Sequence, residues 1–179
     1  MTAFRIVLIA GSLVFLAAAF FPLIYRVIME RDAEKQRAMI RASFGSWRAV
    51  CVLFGSSGLV TAAGIALLAA ELNSVLAWGA AAAALVGAVC WGLIQVQRVR
   101  RASLSTPNSK WAFPAYTLLT QAALIALGAA LLQAGFVAWV GWMLVILTGL
   151  LVAAYFYFKD VAPFVYYLLT LVAAIGLSG

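Results

Sequence analysis

Two groups of polar side chains lie within otherwise apolar segments, and they are the residues best suited to binding a ligand. They are Ser57, Thr61 and Glu71 in one segment, and Thr117, Thr120 and Gln121 in another. Polar side chains at membrane depth are costly unless they face a bundle interior or a cavity. We therefore predict that these residues line a small polar cavity for a solute or a lipid headgroup. The alternative is structural: the hydroxyls bond back to their own helices, and Gln121 bridges two helices.

A second group with binding potential lies in the charged segment 26–48. Its basic members are Arg31, Lys35, Arg37 and Arg41. The segment has no Gly or Pro before Gly45 and consists mostly of good helix formers. Met39, Ile40 and Phe44 add an apolar side. The pattern predicts an amphipathic cytoplasmic helix that lies on anionic headgroups or docks a partner protein.

The sequence lacks the residues that most membrane-embedded enzymes use. It contains no histidine, which excludes His-ligated haem and hydrolysis by a Ser–His or Cys–His pair. No carboxylate lies in the middle of an apolar segment, so a di-iron site or a carboxylate proton relay has no residues. Cys51 and Cys90 show no metal-ligand spacing. We predict no catalytic residue, no metal and no cofactor. Enzymatic activity is not favoured, and a lipid-modifying activity on unusual residues is the one enzymatic alternative.

Composition indicates the class of protein that must hold these residues in place. Of the 179 residues, 67% are hydrophobic and only 9% are charged, whereas soluble domains average about 25% charged residues. We predict a single all-α integral membrane domain, a polytopic bundle of about six transmembrane helices with a short charged helix after the first span. The predicted spans are 6–25, 49–70, 75–96, 112–133, 136–158 and 161–177, and the cytoplasmic helix is 26–48. Pro22 is expected to kink or end the first span.

The basic residues have a strongly uneven distribution. With six spans, every Lys and Arg except Arg5 falls in an odd-numbered connection. By the positive-inside rule we predict that these connections are cytoplasmic and that both termini lie on the outer side of the cell (inner) membrane. The net charge of +7 therefore indicates contact with lipid headgroups, and nucleic-acid binding is not favoured.

Small residues recur at helical spacing in the second and third predicted spans. Gly55, Gly58 and Ala62 share one face of the second span, and Gly79 and Gly87 share a face of the third. Small residues let helices approach closely within lipid.

The leading functional hypothesis is a non-enzymatic membrane subunit or scaffold that packs against other membrane proteins or against itself. Recovery of the protein only as an isolated monomer would argue against it. The alternative is a small-solute or lipid binding or transport protein that uses the polar cavity. That alternative predicts that Gln121→Leu or Thr61→Val abolishes ligand binding without unfolding the protein.

Overall fold

The computed structural model describes residues 2–105, 109–158 and 162–177, and in these ranges it is entirely helical. The helices are α1 (Ala3–Ala19), α2 (Pro22–Met29), α3 (Ala33–Ala42), α4 (Phe44–Leu72), α5 (Val75–Arg101), α6 (Ser109–Gln133), α7 (Ala138–Phe158) and α8 (Phe164–Gly176). Helices satisfy their backbone hydrogen bonds internally, which a chain in hydrocarbon requires. Among the described residues, four helices are long and apolar enough to cross a membrane, namely α4, α5, α6 and α7. The helices are therefore compatible with a multi-pass membrane protein.

The first predicted span, 6–25, is divided into two helices. Helices α1 and α2 meet at an angle of 54° and together are long and apolar enough to form a fifth crossing. Pro22 occupies the first turn of α2, and Phe21 before it is extended, with φ −65° and ψ 129°. Proline has no backbone N–H and disfavours a helical conformation in the preceding residue. The expected kink or end at Pro22 is thus confirmed.

The segment 26–48, predicted as one helix, is divided among the end of α2, all of α3 and the start of α4. The break has a local cause that the prediction overlooked. The Asp32 side chain accepts hydrogen bonds from the backbone N–H groups of Glu34 and Lys35, at 2.8 and 3.2 Å. An aspartate in this role caps a new helix, since its carboxylate satisfies donors that have no partner within the helix. The short charged helix after the first span is therefore α3.

Helix α3 folds back against α2. The Gln36 side-chain amide donates to the Val27 carbonyl oxygen at 2.8 Å. Ile40 of α3 and Val27 of α2 are both fully buried. The remaining α3 side chains are exposed or only partly buried, so Ile40 is the one α3 side chain in the core and the Gln36 hydrogen bond joins the helix to α2.

The helices pack in an order that follows the chain, except for the last one. Helix α5 packs between α4 and α6, α7 packs against α6, and α1 packs against both α4 and α8. A Cβ atom on Gly58 of α4 would lie 3.3 Å from the Cβ of Ala88 in α5, so small residues line the α4–α5 contact as predicted. A Cβ on Gly64 would lie 2.7 Å from the Leu8 side chain of α1. Helix α4 therefore uses glycines on two faces.

The remaining boundaries lie close to the predicted ones. Asn73, which is left-handed with φ 45°, follows the last residue of α4 and caps it, and the Ser74 hydroxyl accepts from the Ala77 N–H at 3.1 Å to cap α5. Helices α4 and α5 extend past the predicted spans at their basic ends, to Phe44 and Arg101. The sixth predicted span, 161–177, contains α8, whose 13 residues are fewer than a full crossing needs. Its first residue lies outside the described residues, as does Lys159.

Candidate functional site

A cluster of aromatic side chains occupies one end of the bundle. The aromatic cluster comprises Phe15 of α1, Phe54 of α4, Trp91 of α5, Phe113 and Tyr116 of α6, and Tyr166 and Tyr167 of α8. The Phe15 and Tyr167 rings stack with centroids 3.8 Å apart, and Trp91 stacks on Tyr116 at 4.8 Å. Such contacts add stability beyond the burial of area. The cluster therefore fixes the relative positions of the five helices at this end.

A cavity of about 430 Å³ lies against the aromatic cluster, and we name it the aromatic cavity. It is lined by Phe15, Ala19, Phe20, Ile24, Ile28, Phe54, Trp91, Arg98, Leu104, Phe113, Ala162, Pro163 and Phe164. Its volume falls in the range of about 300–1,000 Å³ that is usual for ligand pockets. Phe20 and Phe164, 81% and 46% exposed, mark a mouth between the α1–α2 break and the start of α8.

Arg98 is the only charged side chain among the described residues that line the aromatic cavity. Its Nε–H donates to the Leu104 carbonyl oxygen at 3.0 Å, and its guanidinium carbon lies 5.4 Å from the centre of the Trp91 ring. A cation at this distance from an indole face is attracted by the ring. A guanidinium has five N–H donors, so the bond to Leu104 leaves capacity for an anionic group.

The two residues that hold Arg98 are themselves fixed. The Trp91 indole N–H donates to the Phe54 carbonyl oxygen at 2.9 Å. Leu104 is turned back toward α5 by Ala102, whose left-handed backbone (φ 44°) ends that helix. The Trp47 indole N–H donates to the Arg98 carbonyl oxygen at 3.2 Å and joins the start of α4 to the end of α5. Contacts between α4 and α5 therefore fix the position of the Arg98 guanidinium.

The predicted site residues of α4 lie in three different surroundings. Ser57 is buried and bonds back to the Phe54 carbonyl at 2.8 Å, as the structural alternative predicted. Its hydroxyl also faces that of Tyr167. Thr61 is buried against Gly11 of α1, and its hydroxyl has no hydrogen-bond partner among the described residues. Glu71 is exposed in the last turn of α4. These three residues do not converge on one site.

The predicted site residues of α6 do lie together. Thr117, Thr120 and Gln121 line a crevice with Tyr116 and Tyr166, and its volume is only about 10 Å³. This is close to the smallest space that holds one water molecule. The Thr120 hydroxyl bonds back to the Tyr116 and Thr117 carbonyls at 2.8 and 3.1 Å. Neither the Thr117 hydroxyl nor the Gln121 carbonyl oxygen has a partner in the described part of the chain.

The predicted lipid- or partner-binding residues flank or belong to α3. Arg31, Lys35, Arg37 and Arg41 are all exposed. They lie at the same end of the bundle as the aromatic cavity, because α3 joins the end of α2 to the start of α4. Their contact with headgroups or with a partner stays a prediction.

Sequence reasoning missed the aromatic cavity. In the sequence, Arg98 was interpreted only as one of the basic residues that orient the chain. Phe15, Phe54 and Trp91 were interpreted only as apolar residues of the spans. One signal was present: Trp91 lies well inside its helix, whereas Trp47, Trp78 and Trp139 lie near helix ends, where membrane tryptophans are usual. A buried indole N–H needs a hydrogen-bond partner, so a tryptophan in the middle of a span indicates a polar group nearby.

Comparison of the chain with protein-family models, with curated proteins and with solved structures found no match. Among the described residues, no group of three or more His, Cys, Asp or Glu side chains is placed to hold a metal ion. The aromatic cavity offers apolar walls and one oriented cation. That combination can hold an apolar chain and pair with an anionic group at its end.

Proposed function

We propose that this membrane protein binds a single-chain amphiphile with an acidic headgroup in the aromatic cavity. The observation that supports the proposal is the position of Arg98 between Trp91 and the Leu104 carbonyl, where it is the one charged side chain among the described residues of an apolar wall. The described residues that line the cavity include no carboxylate, and a partly buried charge without a counter-charge is costly. A carboxylate or phosphate at the end of an apolar chain supplies that counter-charge.

The route into the cavity also favours a ligand that comes from the bilayer. Phe20 and Phe164 at the mouth are exposed apolar residues, and in a membrane such residues face lipid chains. The bend at Pro22 turns α2 away from the axis of α1 by 54°. Ile24 and Ile28 of α2 line the cavity beside the α1 residues Phe15 and Ala19, so the bend shapes one wall.

The test is a comparison of two ligands that differ only in their headgroup. Delipidated protein in a non-ionic detergent is titrated with oleate and with oleyl alcohol, and binding is read by native mass spectrometry. We expect one oleate to bind at least about tenfold more tightly, because a hydrogen bond to a charged group contributes about 1.5–3 kcal/mol. Equal affinity for the two ligands would contradict the proposal.

We also propose the finer topology of the bundle. It has six spans formed by α1 with α2, α4, α5, α6, α7 and α8, and the end that carries the basic residues is cytoplasmic. The support is the uneven distribution of Lys and Arg. Helix α8 spans only about 20 Å at 1.5 Å per residue, so it crosses together with its flanking residues.

Single cysteines test this orientation in a variant with Cys51 and Cys90 replaced by alanine. Ala134 lies between α6 and α7, Ala42 lies at the end of α3, and both are exposed. We expect a membrane-impermeant maleimide to label Ala134→Cys in intact cells, and Ala42→Cys only after lysis. The reverse pattern would invert the topology.

The subunit or scaffold hypothesis is a second candidate function, and one observation favours it. Only 22% of the most apolar stretch of α7 is buried, against 50–56% for the equivalent stretches of α4, α5 and α6. A helix with so little burial has apolar area left for another membrane protein or for lipid. A stoichiometric protein partner after gentle purification would support it, and a lone monomer would not.

A further inference from the structure

A second cavity, separate from the aromatic cavity, lies between α4 and α5. This α4–α5 cleft has a volume of about 440 Å³, and the residues that line it include Arg48, Gly55, Gly92, Gln95 and Arg100. None of these residues lines the aromatic cavity. A Cβ on Gly92 would meet nothing within 4 Å, and one on Gly55 would meet only the Gln95 side chain and Gly92, at 3.9–4.0 Å. The cleft therefore exists where two glycines leave space between the helices.

Gln95 in the wall of the cleft is the observation that indicates a ligand. Its side chain is only 3% exposed, and neither its amide nitrogen nor its amide oxygen has a hydrogen-bond partner among the described residues. By contrast, the buried hydroxyls of Ser57 and Thr120 bond back to their own helices. Buried polar groups in proteins are normally paired. Gln95 is thus a buried polar side chain in the wall of the cleft whose amide has no partner among the described residues.

Arg48 and Arg100 place two positive charges on the same cleft. Both side chains are exposed, and no carboxylate is among the described residues that line the cleft. Guanidinium groups bind phosphate with paired hydrogen bonds. Gln95 precedes Arg100 by five residues, or about 7.5 Å along α5. A ligand anchored at the arginines therefore extends along the part of the cleft wall that contains Gln95.

The rest of the cleft is apolar and opens toward the exterior of the bundle. Val52, Leu59 and Val96 line it and are 59%, 49% and 49% exposed. We propose that the α4–α5 cleft binds one anionic glycerophospholipid. Its phosphate lies between Arg48 and Arg100, its glycerol ester or hydroxyl groups pair with the Gln95 amide, and an acyl chain follows the apolar wall.

The test compares dioleoylphosphatidylglycerol, dioleoylphosphatidylcholine and inorganic phosphate as ligands of the delipidated full chain, with native mass spectrometry as the readout. We expect one phosphatidylglycerol to bind about tenfold more tightly than phosphatidylcholine. Gln95→Leu should weaken phosphatidylglycerol binding about fivefold while the protein remains as heat-stable as the wild type. Equal binding of the two lipids, or displacement of phosphatidylglycerol by inorganic phosphate at similar concentrations, would overturn the proposal.

A matched pair of double variants separates the cleft from general basicity. Arg48→Gln with Arg100→Gln should abolish the preference for phosphatidylglycerol, whereas Arg26→Gln with Lys110→Gln removes the same charge from residues that line neither cavity and should leave it. All four side chains are exposed, so both double variants should fold. They therefore test the cleft even if Gln95→Leu proves unstable. An equal loss in both double variants would overturn the proposal. Oleate binding tests the aromatic cavity independently and should be unchanged in Arg48→Gln with Arg100→Gln, because neither residue lines that cavity.

Discussion

Replacing Arg98 with methionine is expected to weaken oleate binding by about 10–100-fold, since it removes a charged hydrogen bond worth about 1.5–3 kcal/mol. Binding of oleyl alcohol should change little, because the neutral headgroup has no charge to pair. The difference between the two ligands is the quantity to measure, by native mass spectrometry on the delipidated variant. A loss of affinity shared equally by oleate and oleyl alcohol would show that Arg98 acts on packing alone.

Two further variants make the Arg98 result interpretable. Arg98→Lys keeps the charge but removes the Nε–H that donates to the Leu104 carbonyl, so it should retain part of the preference for oleate. Arg101→Met removes a charge from an exposed residue of the same helix that lines neither cavity. It should bind oleate like the wild type. A loss in Arg101→Met as large as in Arg98→Met would mean that overall charge, and not the site, attracts the ligand.

Replacing Gly11 with alanine is expected to destabilise the protein by about 1–3 kcal/mol, the usual cost of overpacking a tight contact. A Cβ on Gly11 would contact the Thr61 hydroxyl and lie 2.9 Å from the Thr61 backbone nitrogen. A backbone atom cannot rotate away as a side chain does, so α1 must move from α4. Thermal unfolding in detergent should show the loss as a lower Tm.

Gly79→Ala is the control for the Gly11 variant. Gly79 lies in α5, is exposed, and a Cβ there would meet nothing within 4 Å. Alanine favours helix over glycine by about 1 kcal/mol, so this variant should be as stable as the wild type or slightly more stable. If both variants unfold at the same temperature, the α1–α4 contact is looser than the structure shows.

The Gly11 variant should also affect the aromatic cavity. Phe15 lies one helical turn after Gly11, and it stacks on Tyr167 and lines the cavity. Movement of α1 away from α4 therefore moves one wall of the site. Weaker oleate binding in Gly11→Ala is expected for this reason, with no change in charge.

Local features of the fold were predictable because their causes lie within a few residues. Pro22 has no N–H, and its ring restricts Phe21, so the break between α1 and α2 follows from two residues. Ser74 caps α5 through its own hydroxyl, which depends only on the next three residues. Asp32 acts in the same way at α3. The prediction of one continuous helix over 26–48 was wrong because it overlooked this local cap.

The polar residues show where sequence reasoning stops. Thr120 and Gln121 both lie about one helical turn after Thr117, so their common crevice follows from spacing. Ser57 and Thr61 also lie about one turn apart, but Thr61 packs against Gly11 of α1, whereas Ser57 faces Tyr167 of α8. Their spacing shows that they are adjacent to one another, and it does not show which helix covers them.

The sequence by itself determined the class of protein, the approximate helix boundaries and the end at which the positive charges gather. These depend on hydropathy and on hydrogen bonds closed within each segment. Only the tertiary structure decided that α8 packs against α1, with Arg5 donating to the Ala174 carbonyl at 3.1 Å, and that aromatic rings from five helices line the same cavity as Arg98. Within lipid, a buried helix face and a lipid-facing one are equally apolar, so hydropathy does not distinguish them. Shape and close packing between distant parts of the chain make that choice.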